Sequence, residues 1–211
     1  TEPAEDEAKP DAAAPAVADP SPAAAGLPAR GVLESAWDKV RDYFLAEDPG
    51  FWVAMVPLLM LAAVLYTRHR GTNYIFDEQE ALLGNPYVNS KGALGWLDAF
   101  KRDFWGLPHD RSIGSYRPIP NLVWRAIWQV KVFQGPWLPH WINVLFHAVN
   151  GSLLVVLVHR LTTRRGLAWL AGFIFTACAV LTEAGDGAVG IADVLGGFGA
   201  MLALVSLLLP M

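Results

Sequence analysis

Four apolar runs constrain this 211-residue chain more than any other feature of its sequence. They occupy residues 51–66, 141–158, 167–182 and about 187–209. A bilayer core of about 30 Å takes roughly 20 helical residues. The first and third runs, with 16 residues each, are marginal, and flanking residues such as Thr67 or local thinning of the bilayer would let them span. Buried helices of a soluble protein are the alternative, but four such runs in so short a stretch favour membrane spans. The composition agrees, with 54% hydrophobic residues and 17% charged ones, against about 25% charged in soluble domains. The expected class is an all-α integral membrane protein with about four transmembrane helices, an extracytoplasmic helical loop and an interfacial amphipathic helix.

The charge is uneven along the chain. Residues 1–30 hold six acids and two bases, which accounts for the whole net charge of −4, and the remaining residues balance at fourteen of each. No basic surface for nucleic acid is indicated. The single cysteine, Cys178, excludes an internal disulfide framework and a cysteine-cluster metal site. Residues 1–30 also contain eleven Ala, six Pro and no aromatic residue. Such a segment cannot bury enough apolar surface to offset chain entropy, so a disordered tail is expected there. It lacks the basic start and apolar run of a secretory signal. Residues 31–48 differ: Leu33, Trp37, Val40 and Phe44 recur at helical spacing among charged residues, and Pro49-Gly50 ends the pattern. An amphipathic helix lying on the membrane is expected, with packing on another chain as the alternative.

The short loop between the second and third runs carries Arg160, Arg164 and Arg165 and no acid. Positive charge marks the cytoplasmic side, so parity places residues 67–140 and the turn before the fourth run outside, and the N-terminal tail inside. Arg68 and Arg70 pull the other way, partly balanced by Lys39 and Arg41. The low Lys content and the Ala/Pro-rich tail point to a bacterial inner membrane, and an endoplasmic reticulum membrane would serve the same chemistry.

Residues 67–140 are too long for a simple connector. They contain Trp96, Trp105, Trp124, Trp128 and Trp137, and Ile119, Leu122, Val123, Ala126, Ile127 and Val130 follow helical spacing. Either a helix lies along the outer surface with Trp at headgroup depth, or the segment forms a small aromatic-rich domain. Two acidic clusters flank the membrane region: Asp77, Glu78 and Glu80, then Glu183, Asp186 and Asp193, with no carboxylate between Asp110 and Glu183. Parity puts both on one face. Acids near a membrane are costly unless paired, hydrated or bound to a cation, so converging carboxylates suit general-base work or a divalent cation. Asp77, Glu183 and Asp193 are the candidate cation ligands; solvated loop acids are the alternative. His109, Arg111, Arg117 and Arg125 suit phosphate or lipid headgroups. His147 sits inside the second run, where either function or hydrogen-bonded packing would account for it. Glycines crowd the start of the fourth run and permit close helix approach. No phosphate-cradling Gly-rich loop, HExxH or CxxC is present.

An ordered set of motifs carries a resemblance. Phe76-Asp77-Glu78 and Asn85-Pro86 come first, then Asp103-Phe104-Trp105-Gly106 and Ser115-Tyr116-Arg117-Pro118-Ile119. His140-Trp141-Ile142-Asn143-Val144-Leu145-Phe146-His147, Leu181-Thr182-Glu183-Ala184 and Ala192-Asp193 follow. Over roughly residues 50–209 this order resembles the membrane O-mannosyltransferases that carry tetratricopeptide repeats, within the GT-C glycosyltransferase class. The resemblance implies a polyprenyl-phosphate-sugar donor, a protein hydroxyl as acceptor and an extracytoplasmic site. It places the essential acidic motif on Asp77 and Glu78, with Asp77 as base, the donor-phosphate Arg on Arg117, and the second acidic motif on Glu183 and Asp193. His147 is kept with the substrate-binding set. The sequence departs from the family where its Gly-Arg-Ala-Asp reads Gly190-Ile191-Ala192-Asp193, and where a His-Pro stretch reads Ala177-Cys178-Ala179-Val180-Leu181. A non-catalytic, degenerate relative within a larger membrane complex is therefore the second reading. A channel or transporter is a weaker third, because few polar residues lie along the spans.

Overall fold

A computed structural model describes residues 30–45, 49–66, 74, 77–130, 135, 137–181 and 187–208. Among these every regular element is helical, and the one β-bridge, Arg102 to Pro108, is isolated. Two compact units divide the chain at Asp42/Tyr43.

In the first unit, α1 begins (Arg30–Phe44). Its described side chains up to Asp42 are exposed on every face, and Arg41 pairs with Asp38 at 3.1 Å. A helix forms over the expected segment, and Trp37 and Val40 on it are uncovered. The expected tail lies almost wholly outside the described residues.

The second unit holds α2 (Phe51–Tyr66), α3 (Pro118–Trp128), α4 (Trp137–Thr162), α5 (Arg165–Ala177) and α6 (Ile191–Leu207). Helix α4 is central and packs against α2, α5 and α6. Direction alternates along the chain. His140 at the start of α4 meets the carbonyl of Tyr66 at the end of α2 (2.8 Å), and Tyr66 Oη donates to the Thr176 carbonyl at the end of α5 (3.1 Å). Asn150 of α4 donates to Val194 of α6, and Arg160 to Leu208, so these two helices run parallel.

Among the described residues, two helices are long and apolar enough to cross a membrane, Trp137–Thr162 and Ala188–Leu207. At 1.5 Å per residue the first, of 26 residues, is about 39 Å long. Helices α2 and α5 are shorter. On α2, Trp52, Val56, Met60 and Val64 form an uncovered apolar stripe opposite the buried Ala54, Leu58 and Ala62. A helix apolar on both faces suits lipid on one side and protein on the other. The expected third span is cut short, because α5 ends at Ala177 and passes into a 3₁₀ turn, Ala179–Leu181.

Small residues set the helix spacing. A Cβ on Gly172 of α5 would lie 2.4 Å from Val155 Cγ2, and one on Gly151 of α4 would lie 2.6 Å from Thr176 Oγ1. In the expected glycine-rich start of α6, Gly197 makes such a close approach, to Asn150, whereas Gly196 and Gly199 face open space.

The described part of the segment between α2 and α4 folds as an aromatic-centred layer. Ala81, Leu82, Tyr87, Val88, Ala99, Phe104 and Trp124 share one buried cluster with Ala188, Ile191 and Val194 at the head of α6. Helix α3 buries Trp124 completely, so this Trp packs in protein and not at headgroup depth. The small-domain alternative describes this segment better than a lone surface helix.

Candidate functional site

This aromatic-centred layer is built around a polar hub. Asn85 is fully buried. Its amide nitrogen donates to the carbonyls of Ala81 (2.9 Å) and Phe104 (3.1 Å) and to Asn121 Oδ1 (3.2 Å), while its oxygen accepts from the backbone of Tyr87 and Val88. Asn121 in turn donates to the Asp103 carbonyl at 2.8 Å. The buried Asp103 carboxylate accepts three backbone N–H groups, from Trp105, Leu107 and Ile113. Three chain segments are thus joined by groups that are costly to leave unpaired once buried. In the sequence Asn85 and Asp103 stood out only as motif letters, and Asn121 did not stand out at all. The available signal was the Asn-Pro turn, and it does not reveal a hub.

The first acidic motif sits on a helical turn beside this hub. Gln79–Leu83 forms a π-turn closed by Gly84 N–H donating to the Gln79 carbonyl at 2.7 Å. It sends Ala81 and Leu82 into the apolar cluster and leaves Asp77 and Glu80 exposed. Glu78 is half-buried, and its carboxylate accepts the backbone N–H of Ala188. Ala188 opens the 3₁₀ turn Ala188–Gly190 that runs straight into α6. The turn is also held from α4, where Asn143 Nδ2 donates to the Gly187 carbonyl at 2.6 Å. Residues far apart in sequence are thereby brought to one end of the bundle. Asp193 lies exposed in the first turn of α6. Glu183 and Asp186 lie outside the described residues.

Tyr74 lies close to Glu78. Burial, with the nearby negative charge of Glu78, pushes its phenol up to about 12, and its ring meets Trp128 at 5.8 Å.

The other expected site residues are placed as follows. Arg117 is exposed just ahead of Pro118 at the start of α3, with its guanidinium 5.0 Å from the ring centre of Phe104. His147 is buried among Tyr66 and Phe175, with Nε2 3.2 Å from the Thr176 carbonyl. His109 and Arg111 are exposed on a short 3₁₀ turn. Arg125 is buried: it donates to the carbonyls of Gly95 and Leu94 and lies between the rings of Tyr87 and Trp96. A cleft of ≈ 760 Å³ opens beside it, but those contacts already occupy its charge. Among the described residues no group of three His, Cys, Asp or Glu side chains is placed to hold a metal.

Fold and site together define a class: an all-helical chain with, among the described residues, two helices long and apolar enough to cross a membrane, and an acidic turn fastened to the head of the last helix. The comparisons with known proteins fall in the same place as the motif resemblance. The chain is 36% identical over 135 residues to the protein O-mannosyl-transferase Tmtc2 of Drosophila melanogaster, covering 63% of this chain and 14% of that one. It is 31% identical over 140 residues to TMTC3 of Mus musculus, covering 65% of this chain and 15% of the relative. It is 30% identical over 162 residues to TMTC4 of Homo sapiens, covering 70% and 22%. The chain is therefore related to the TMTC protein O-mannosyl-transferases, and its matches span about a fifth of their length or less. No family model matches the chain, and no solved structure matches it.

Proposed function

We propose that this chain carries the acidic centre of a GT-C-like glycosyltransferase, which moves a sugar, mannose by analogy with the relatives' names, from a polyprenyl-phosphate carrier to a protein hydroxyl. The observation that carries this reading is the contact of Glu78 with Ala188 in a chain related to O-mannosyl-transferases. It ties Glu78 of the first acidic motif to Ala188, five residues ahead of Asp193. Asp77, exposed beside this contact, takes the proton of the acceptor hydroxyl. The acceptor oxygen then bonds to the anomeric carbon as the bond from that carbon to the phosphate oxygen breaks. The leaving lipid phosphate keeps the electron pair, and the exposed Arg117 stabilises its growing charge.

The chain then crosses the membrane about four times, α1 lies along its surface, the N-terminus is cytoplasmic and the site opens on the opposite face. The relatives above are animal proteins, and they lend no support to a bacterial inner membrane over an endoplasmic reticulum membrane. No step requires a metal. A divalent cation across Asp77, Glu183 and Asp193 would show as transfer lost on chelation and restored by the ion. The main test is sugar transfer from a lipid-linked donor in membranes. Asp77→Asn is expected to abolish it, and transfer equal to wild type would sink the assignment.

One observation favours a second reading. Where the family motif has Arg, Ile191 is buried in the apolar cluster at the head of α6. A degenerate, non-catalytic subunit would tolerate that change. It predicts no transfer and a fixed-stoichiometry complex by native mass spectrometry in mild detergent.

A further inference from the structure

The acidic pair Asp77 and Glu78 has two different surroundings. Asp77 is exposed, whereas Glu78 is half-buried and turned toward the chain. The acceptor it offers meets a particular need. Ala188 begins a continuous helical stretch ending at Leu207, and the first N–H groups of a helix have no partner within it. A carboxylate there satisfies such a donor and lies at the positive end of the helix dipole. The same turn is anchored from the other side by Asn143 on the Gly187 carbonyl. Beneath it Ala188, Ile191 and Val194 share a buried cluster with Ala81 and Leu82, which follow Glu78 on the acidic turn. In sequence, Glu183 lies five residues before Ala188 and Asp193 five after it.

We propose that Glu78 is a positioning residue. Its carboxylate clamps the first acidic turn onto the head of the last helix, and so fixes the spacing between Asp77 and the second acidic segment while proton transfer falls to Asp77. The proposal rests on the transfer reading for its consequence and on the hydrogen bond for its structure.

An amide donor needs only an acceptor oxygen, which glutamine supplies and alanine does not. A general base or a cation ligand needs the negative charge, which glutamine lacks. The full protein, reconstituted in lipid nanodiscs, is assayed with a lipid-linked sugar donor and an acceptor peptide. Hydrogen exchange is followed at amides 187–193. Glu78→Gln is expected to keep transfer within about three-fold of wild type, with an unchanged pH profile and a protected Ala188 amide. Glu78→Ala is expected to weaken that protection and to slow transfer by about ten-fold or more, the size of a lost hydrogen bond to a charged group. Asp77→Asn should abolish transfer and leave the Ala188 amide as protected as in wild type. A Glu78→Gln variant as inactive as Asp77→Asn overturns the proposal and leaves the transfer reading standing. Unchanged protection in Glu78→Ala overturns the clamp itself. If wild type transfers no sugar, the transfer reading falls, and hydrogen exchange still decides the clamp.

Discussion

Replacing Gly106 by Ala tests whether the polar hub holds the outer layer together. Gly106 has φ +76°, a left-handed conformation that costs a residue with a Cβ about 1 kcal/mol. Space is the larger obstacle. The added Cβ would lie 2.0 Å from Asn85 Oδ1 and 3.0 Å from Tyr87 N. Asn85 cannot swing aside without giving up its bonds, because its amide reaches Ala81, Phe104 and Asn121 and its oxygen serves Tyr87 and Val88. Displacing that oxygen orphans two buried N–H donors, at about 1–3 kcal/mol each, so the total is about 3 kcal/mol or more. Gly92 is the control: its φ is +89° and an added Cβ meets nothing within 4 Å. Gly92→Ala should therefore cost only the backbone term, about 1 kcal/mol. Thermal unfolding in detergent, followed by tryptophan fluorescence, reads the difference. For a chain of this size the shifts should be about 2–4 °C for Gly92→Ala and about 6 °C or more for Gly106→Ala. With Asn85→Ala, the double variant should cost less than the sum of its parts, since the obstacle and the lost bonds are shared. Equal shifts for the two glycine variants, or strict additivity with Asn85→Ala, would refute the hub.

Tyr74 should be late to titrate. Below its unfolded value of about 10 the phenol is protonated in both states. Between there and about 12 the folded chain keeps a proton that the unfolded chain releases. Its contribution is thus complete below pH 10 and lost as pH rises through 12. Ultraviolet titration should show a late phenol that disappears in Tyr74→Phe and shifts downward in Glu78→Gln; a late phase surviving Tyr74→Phe removes the assignment. For His147→Leu, loss of the contact with the Thr176 carbonyl, which keeps its bond from Tyr66, should lower stability by about 0.5–1.5 kcal/mol while transfer per folded molecule stays near wild type. A large loss of transfer at unchanged stability would make this histidine functional. Gly172→Ala, whose Cβ would press on Val155, should destabilise by about 1–3 kcal/mol through overpacking. Gly196→Ala, with open space around it, should be neutral, and equal effects would show that the contact between α4 and α5 is not the tight one.

The apolar runs were readable because a helix that meets lipid or core on all sides writes an unbroken hydrophobic stretch. Their ends were less so. Helix α4 starts at Trp137, ahead of the run itself, because Pro139 falls within its first turn, where proline's missing N–H costs nothing. Helix α5 stops at Ala177 although the apolar letters continue, and hydropathy alone carries no stop signal there. In α3 the period was visible, but which Trp faced lipid was not. Trp124 is covered by Phe104, a residue twenty positions away that a local pattern cannot supply. The acidic turn was visible as a charge cluster. Its partner was not, because Glu78 binds a backbone N–H of an alanine, and no side-chain pattern encodes that.

The last helix shows why such a contact arises. Backbone groups at helix ends that approach a membrane have no water to turn to within the hydrocarbon, and they repeat the same orphaned donors and acceptors whatever the sequence. At its head the helical stretch from Ala188 receives the Glu78 carboxylate; at its tail the Leu208 carbonyl receives the Arg160 guanidinium at 3.3 Å. Anion at the positive end and cation at the negative end both match the dipole. Each comes from a different part of the chain, Glu78 from the outer segment and Arg160 from the end of α4. The arginine loop and the acidic turn thus lie at opposite ends of one helical stretch. Reversing the orientation of the chain would carry both ends across the membrane together, so labelling Asp77→Cys and Thr163→Cys with a membrane-impermeant thiol reagent in intact vesicles, in a Cys178→Ala background, should mark one position and spare the other. Labelling of both from the same side would contradict the spanning of α4.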